Sequence, residues 1–334
     1  MRSYRIALIP GDGIGQDVIA AGMDVLAACA RGDGGFALHA DAFPWGCQYY
    51  LDHGVMMPAD GMDTLRQYDA IYFGAVGLPA VVPDHISLWG LILPIRKAFD
   101  QYVNMRPVRL LPDIAGHLRT KGADDIDFVV IRENTEGEYS GAGGRVHNGS
   151  PHEAAVQTTI FTRMGVERII RYAFDLARTR RKKVTSATKS NAMQHVMVFW
   201  DEVFSAVAKD YPDVQTEKWH VDALCARFIT HPQTLDVVVG SNLFGDILSD
   251  LGGALMGSLG MPASANINPE RRCPSMFEPV HGSAPDIMGK GIANPIAAIW
   301  AGGMMLDFLG ESAAAQRLRA AVEAVTASGR PLTP

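Results

Sequence analysis

The sequence predicts an α/β protein with a largely parallel sheet, divided into two domains. Short apolar runs alternate with longer segments whose apolar residues recur at helical spacing, the pattern of strand–helix–strand units. A chain of 334 residues, 48% apolar and 20% charged, is long enough for two cores at roughly 150 residues per domain. It contains no flexible linker, repeat or low-complexity tract, so the backbone is expected to pass between domains through paired strands.

Taken in order, Tyr4–Ile9 is the first predicted strand. Asp17–Cys29 follows as a helix that sets Val18, Ile19, Met23, Val25 and Leu26 at helical spacing. Ala70–Phe73, Phe128–Ile131, Val184–Ala187 and Val237–Val239 are predicted as buried strands, being short and continuously apolar. Helices are predicted over Leu88–Phe99, Val166–Arg178, Gln194–Lys209, Asp246–Leu259, Ile296–Phe308 and Ala313–Val325. Glu133–Gly141 is predicted as a polar, acidic loop, and Phe277–Asn294 as a long, polar-decorated one. Loops of that length in compact domains are usually functional.

Thirty Lys and Arg against 36 Asp and Glu give a formal charge of −6. That balance lacks the basic footprint of a nucleic-acid or membrane-surface binder, so an anionic ligand must be met by a few local arginines. Cys29, Cys47, Cys225 and Cys273 form no C-x-x-C pair and read as free thiols of a reducing compartment. The N-terminus has no apolar segment of signal-peptide length, and the apolar, uncharged stretch Gly291–Leu306 is shorter than the ~20 residues of a spanning helix. A cytoplasmic location is expected.

Several segments can carry chemistry. Gly11-Asp12-Gly13-Ile14-Gly15 opens the first strand into a helix, as a pyrophosphate cradle would, but its spacing is not G-x-G-x-x-G and any tight strand–helix turn uses glycine. Arg96 ends an apolar helix, while Arg106 and Arg132 follow apolar runs. Such strand ends are where α/β sheets place ligands, and converging guanidinium forks suit a substrate with two carboxylates. Tyr139 near these arginines can serve as a general acid whose ionised form they favour, or simply as packing. Lys189 at the end of another strand reads, without further context, as a solvated surface lysine. Asp246 and Asp250 lie four apart on one helix face and would repel unless a cation such as Mg²⁺ or Mn²⁺ lies between them. Asp222 could complete such a site. The alternative is an acidic first turn stabilised by the helix dipole.

Together these pieces resemble the β-decarboxylating dehydrogenases, the family of isocitrate, isopropylmalate and tartrate/D-malate dehydrogenases. The most specific segments are Asn242-Leu243-Phe244-Gly245-Asp246-Ile247-Leu248-Ser249-Asp250 and Glu278-Pro279-Val280-His281-Gly282-Ser283-Ala284-Pro285-Asp286. The resemblance implies an isopropylmalate dehydrogenase-like fold, with two α/β domains sharing a central, mixed, largely parallel sheet that is not of the Rossmann type. It therefore implies that the first glycine loop is no pyrophosphate cradle. Residues 1–101 with 260–334 would form the first, cofactor-side domain, and 102–259 the second, for dimerisation and metal. Relatives run on past the position of Pro334 into a glycine turn and a last helix.

By the same resemblance, Arg96, Arg106 and Arg132 hold the substrate's carboxylates, and Tyr139 protonates C3 of the enolate after CO₂ leaves. Lys189 assists proton removal from the C2 hydroxyl. Asp222 joins Asp246 and Asp250 on a divalent metal, Lys189 and Asp222 both coming from the other subunit of a homodimer. His281, Gly282, Ser283, Ala284, Asp286 and Asn294, with Asn191, match cofactor-binding positions. The implied cofactors are NAD and Mn²⁺ or Mg²⁺, with a monovalent cation such as K⁺.

The helix before Arg96 reads whatever hangs from C3 in relatives. Isocitrate enzymes carry Ser and Asn where this chain has Gly90 and Ile92, and isopropylmalate enzymes carry Glu and Leu at Trp89 and Ile92. No polar group remains here for a third carboxylate, and the Trp89 ring fills the place of an isopropyl group. The expected activity is NAD-dependent oxidative decarboxylation of a small 2-hydroxy diacid, D-malate or tartrate, with 3-isopropylmalate or a non-catalytic regulatory paralogue as alternatives. NADP-using relatives place Lys and Tyr where this chain has Asp286 and Ile287, so NAD is expected over NADP.

Overall fold

The structure, a computed structural model, describes residues 1–329, so the predicted chain end at Arg330–Pro334 lies outside the described residues. Met1–Gln101, Arg109–Ala123 and the segment from Gly253 onward form one unit, and Tyr102–Val108 with Asp124–Gly252 form the other. Residues 109–123 and 253–259, expected in the second domain, group with the first unit.

The first unit carries β1 (Arg2–Gly11), β2 (Phe36–Ala42), β3 (Ala70–Ala75), β11 (Ala263–Ile267) and β12 (Ser275–Pro279) in the order β2-β1-β3-β12-β11. All pair in parallel except β11 with β12. Helix α1 (Gly15–Asp33) buries Val18, Ile19, Gly22 and Leu26 and ends at Gly34 in the left-handed region, whose N–H bonds the Ala30 carbonyl. Helices α2 (Cys47–His53) and α3 (Gly61–Leu65) follow β2. Helix α10 (Ile296–Phe308) keeps its predicted bounds, and α11 (Ser312–Ala327) packs beside it.

The second unit orders its strands β4-β5-β10-β8-β9: β4 (Val103–Arg109), β5 (Asp127–Glu133), β8 (Lys183–Thr188), β9 (Gln215–His220) and β10 (Val237–Gly240). Val129–Ile131 and Val237–Val239 are buried, as strands covered on both faces must be. Helix α6 (Arg163–Arg178) starts where Thr162 Oγ1 accepts from Gly165 N at 3.0 Å, and buries Val166, Ile169, Ile170, Ala173, Phe174 and Ala177 along one stripe. Helices α7 (Val196–Ala208), α8 (Val221–Thr230) and α9 (Asn242–Leu255) follow. A separate antiparallel hairpin pairs β6 (Gly137–Val146) with β7 (Ala154–Ile160).

Three expectations are corrected. The helix predicted over Leu88–Phe99 is broken into α4 (Asp84–Ser87), a π-helical turn at Leu88–Ile92 and α5 (Leu93–Ala98). Gly90 faces Met56 so closely that a Cβ would lie 2.5 Å from its Cγ, a packing constraint that helical periodicity does not report. The predicted loop at Glu133–Gly141 enters strand β6 at Gly137, and the predicted loop from Phe277 begins inside β12. In both segments polar residues sit within strands, which masks the apolar alternation.

Candidate active site

In the second unit, α9 approaches the end of β5 through Gly245, where a Cβ would lie 2.5 Å from the Arg132 Cβ. That approach brings five of the expected residues together. Arg132 donates from Nε and Nη2 to Asn242 Oδ1 at 2.9 and 2.8 Å, and from Nη1 to Asp246 Oδ1. Arg106, inside β4 rather than at its end, donates to Ser249 Oγ at 2.7 Å and Asp246 Oδ1 at 3.2 Å, with Asp250 Oδ1 at 3.6 Å. Tyr139 Oη donates to Asp246 Oδ2 at 3.4 Å, and the Arg132 guanidinium carbon lies 5.5 Å from the centroid of its ring.

Two buried guanidinium groups thus face two carboxylates on one helix face, and their charge offsets the repulsion between Asp246 and Asp250. Burial pushes Asp250 above its ordinary value, opposed by Arg106 and reinforced by Asp246. Tyr139 departs from expectation. Burial and the Asp246 charge raise its pKa, and Arg132 only partly opposes them. A phenol so placed stays protonated at neutral pH, the state a proton donor requires.

Lys189 and Asp222 pair with each other at 2.8 Å, and the lysine holds the exposed carboxyl below its ordinary value. Among the described residues no group of three His, Cys, Asp or Glu is arranged to hold a metal. Within one chain, Asp222 therefore does not join Asp246 and Asp250. The donor set at α9 still fits a divalent cation of the Mg²⁺ or Mn²⁺ kind: two hard carboxylate oxygens, the Asp250 side chain 64% exposed and open to further oxygen ligands.

In the first unit, Arg96 Nη2 pairs with Glu278 Oε1 at 2.7 Å, the two side chains only 8% and 6% exposed, and Asn266 Nδ2 donates to the same oxygen at 2.7 Å. Arg96 Nε and, in the second unit, Arg106 Nε are buried without a hydrogen-bond partner, which fits donors kept for an anionic ligand. Trp89 is 45% exposed and carries the Lys97 ammonium 4.5 Å from its ring centroid, while Ile92 is buried.

The glycine turn after β1 supports the loop of His281–Asp286. Ile14 N donates to Ser283 O at 2.8 Å, and a Cβ at Gly13 would lie 1.9 Å from that carbonyl oxygen. Asp12 accepts from Cys47 N and Gly77 N at 2.8 and 2.9 Å. The turn is filled by protein backbone and side chain, not shaped around a pyrophosphate. His281 Nδ1 donates to Gly282 O at 2.9 Å, while its Nε2 is buried without a partner and burial lowers its pKa. A neutral imidazole with one unused acceptor fits a ligand hydroxyl or amino group. Gly282 and Asp286 are exposed, Ala284 sits at φ +36°, and Asn294 Oδ1 accepts from Ile296 N at 3.0 Å at the start of α10. Asn191 is exposed beside Lys189 in the second unit.

Glu138, Asn242, Ser249 and the pairing role of Glu278 were not anticipated. Glu278 lies in β12, where a buried acid must find a cation, but the segment read as a loop from sequence. Asn242 and Ser249 lie in the segment most specific to the family, but their pairing with Arg132 and Arg106 had no local signal, since those partners are distant in sequence.

The family model described as isocitrate/isopropylmalate dehydrogenase matches residues 5–334. The chain is 58% identical to the D-malate dehydrogenase (decarboxylating) of Escherichia coli strain K12, over 100% of this chain and 94% of that protein. It is 60% identical to the tartrate dehydrogenase/decarboxylase of Pseudomonas putida, over 92% of this chain and 85% of that one. The crystal structure of isocitrate dehydrogenase from Methylococcus capsulatus matches with a TM-score of 0.89 at 38% identity, covering 99% of this chain and 93% of that chain. Among the described residues, no helix is long and apolar enough to cross a membrane.

Proposed function

The chain belongs to the isocitrate/isopropylmalate dehydrogenase family, and from that premise we propose that it catalyses NAD-dependent oxidative decarboxylation of D-malate to pyruvate and CO₂, with tartrate as the related substrate. The observation that carries this reading is the convergence of Arg106, Arg132 and Tyr139 on the Asp246 carboxylate.

Arg96, Arg106 and Arg132 bind and orient the two carboxylates of the diacid. Asp246 and Asp250, completed by Asp222 of a second copy in a homodimer, would hold Mn²⁺ or Mg²⁺; His281–Asp286 and Asn294, with Asn191, would hold NAD. Bound there, NAD would supply a hydride acceptor and the divalent cation would supply Lewis-acid polarisation of the substrate. Lys189 of the second copy assists loss of the C2 hydroxyl proton. Tyr139 then gives its proton to C3 of the enolate left when the β-carboxylate departs as CO₂. K⁺ is proposed as an accessory monovalent cation. The proposed location is the cytoplasm, in keeping with four free cysteines.

Trp89 under the Lys97 ammonium offers a charged, aromatic wall, which suits hydrogen or hydroxyl at C3 better than an isopropyl group. A panel of D-malate, L- and meso-tartrate, isocitrate and 3-isopropylmalate, assayed by NADH and CO₂ formation with Mn²⁺, tests the assignment. D-Malate or a tartrate should lead by kcat/KM. Equal turnover of 3-isopropylmalate overturns the choice of substrate, and no turnover of any 2-hydroxy diacid overturns the function.

A further inference from the structure

We propose that Glu138 is a positioning residue that locks the strand bearing Tyr139 to the helix bearing Asp246 and Asp250. The inference rests on the reading of Tyr139 as the proton donor. Glu138 precedes Tyr139 on β6, and its carboxylate reaches the first turn of α9. Oε1 accepts from Ser241 Oγ at 2.9 Å and Oε2 from Leu243 N at 3.1 Å. Ser241 Oγ in turn accepts from Phe244 N at 3.3 Å.

The first N–H groups of a helix have no partner within it, and a carboxylate there is also favoured by the helix dipole. In α9 that capping is shared: Ser241 Oγ, just before the helix, serves Phe244 N, and Glu138, from another element, serves Leu243 N, so its carboxylate is at once a cap and a tether. One turn further along the helix, Tyr139 Oη meets Asp246 Oδ2. Adjacent residues of one strand thus contact adjacent turns of one helix, which fixes both the distance and the rotation of the phenol relative to the carboxylates. The main chain is held from its other side, where Gln157 Nε2 donates to the Glu138 carbonyl at 3.0 Å. Glu138 touches none of the reacting atoms; its action is through Tyr139.

The test compares Glu138→Ala, Glu138→Gln and Tyr139→Phe in the full-length protein with NAD, Mn²⁺ and D-malate. Thermal midpoint, NADH affinity by fluorescence, kcat, KM and the solvent deuterium isotope effect on kcat are measured. Glu138→Ala should lower kcat about tenfold or more, as a displaced catalytic group does, with NADH affinity within about twofold of native. Its isotope effect should rise above native, because proton delivery becomes limiting. Glu138→Gln keeps one acceptor oxygen and should recover part of the rate, which keeps the proposal open to refutation should the alanine variant not fold. A Glu138→Ala protein with native kcat and isotope effect but a lower midpoint would mean a helix cap and nothing more, and the proposal falls alone. A Tyr139→Phe protein with native kcat removes the proton-donor reading, and the proposal falls with it.

Discussion

Arg96 and Glu278 form an ion pair at 2.7 Å with both side chains buried. Burial takes both ions out of water, and the Glu278 carboxylate offsets that cost by supplying the counter-charge and holding the guanidinium in one orientation. Removing one partner of such a pair leaves an uncompensated buried charge. Glu278→Ala should destabilise the protein by about 3–5 kcal/mol. The double variant Arg96→Met, Glu278→Leu, which buries no charge, should lose less. Urea midpoints of the three proteins decide the matter, and a double variant weaker than Glu278→Ala contradicts the account.

Glu133 gives a pH dependence whose sign follows from its surroundings. It is fully buried at the end of β5, and burial pushes its pKa up to about 7, although Thr135 N, Thr135 Oγ1 and Glu136 N donate to it at 3.0, 2.9 and 2.8 Å. The folded state therefore holds the proton more tightly than the unfolded chain does. Stability is full below the ordinary carboxylate value of 4.5 and is lost as pH rises through about 7, by about 3 kcal/mol. Glu133→Gln imitates the protonated acid. It should match native stability near pH 5 and exceed it near pH 8 in urea unfolding. Parallel pH profiles for the two proteins would show the carboxylate to be charged throughout.

What the sequence disclosed follows from the range of the forces involved. Buried strands such as Val237–Val239 and amphipathic α6 are local patterns, and both were legible. The hairpin of β6 and β7 was not, because Gly137, Gly141, Gly143 and Gly144 break the alternation of a strand that is largely exposed. The π-helical turn at Leu88–Ile92 breaks a segment whose apolar spacing is helical throughout, and Gly90 within it packs against Met56, more than thirty residues away. At the site, Asp246 and Asp250 were visible through their spacing on one helix face. Their pairing with Arg106 and Arg132 across the second unit is a product of topology, as is the rise in the Tyr139 pKa, where burial outweighs a neighbouring guanidinium.

Cofactor choice is expected to turn on Asp286, exposed in the loop that the glycine turn supports through Ser283. A carboxylate there accepts hydrogen bonds from ribose hydroxyls and repels a 2′-phosphate. Asp286→Lys should move the ratio of kcat/KM for NAD over NADP toward NADP by about tenfold, equivalent to about 1.4 kcal/mol. An unchanged ratio in a folded variant removes Asp286 from the cofactor site.

The Lys189–Asp222 pair, and the absence among the described residues of any three-acid group, lead to the last expectation. If Tyr139 serves a site completed by Lys189 and Asp222 of a second copy, Tyr139→Phe and Lys189→Met homodimers should each be nearly inactive, since every site lacks one proton-transfer group. A mixed dimer of the two variants behaves differently. One of its sites joins the intact Tyr139 of the first chain to the intact Lys189 of the second, and the other site collects both lesions. Groups acting as one unit do not lose activity additively, so the mixed dimer should show about half the native activity. Were both groups drawn from the same chain, every site would hold one lesion and mixing would restore nothing. Co-expression with two different affinity tags isolates the mixed species, and NADH binding confirms that it is folded. An inactive mixed dimer that binds NADH normally refutes the shared site, and Lys189 would then have to act on the Tyr139 of its own chain.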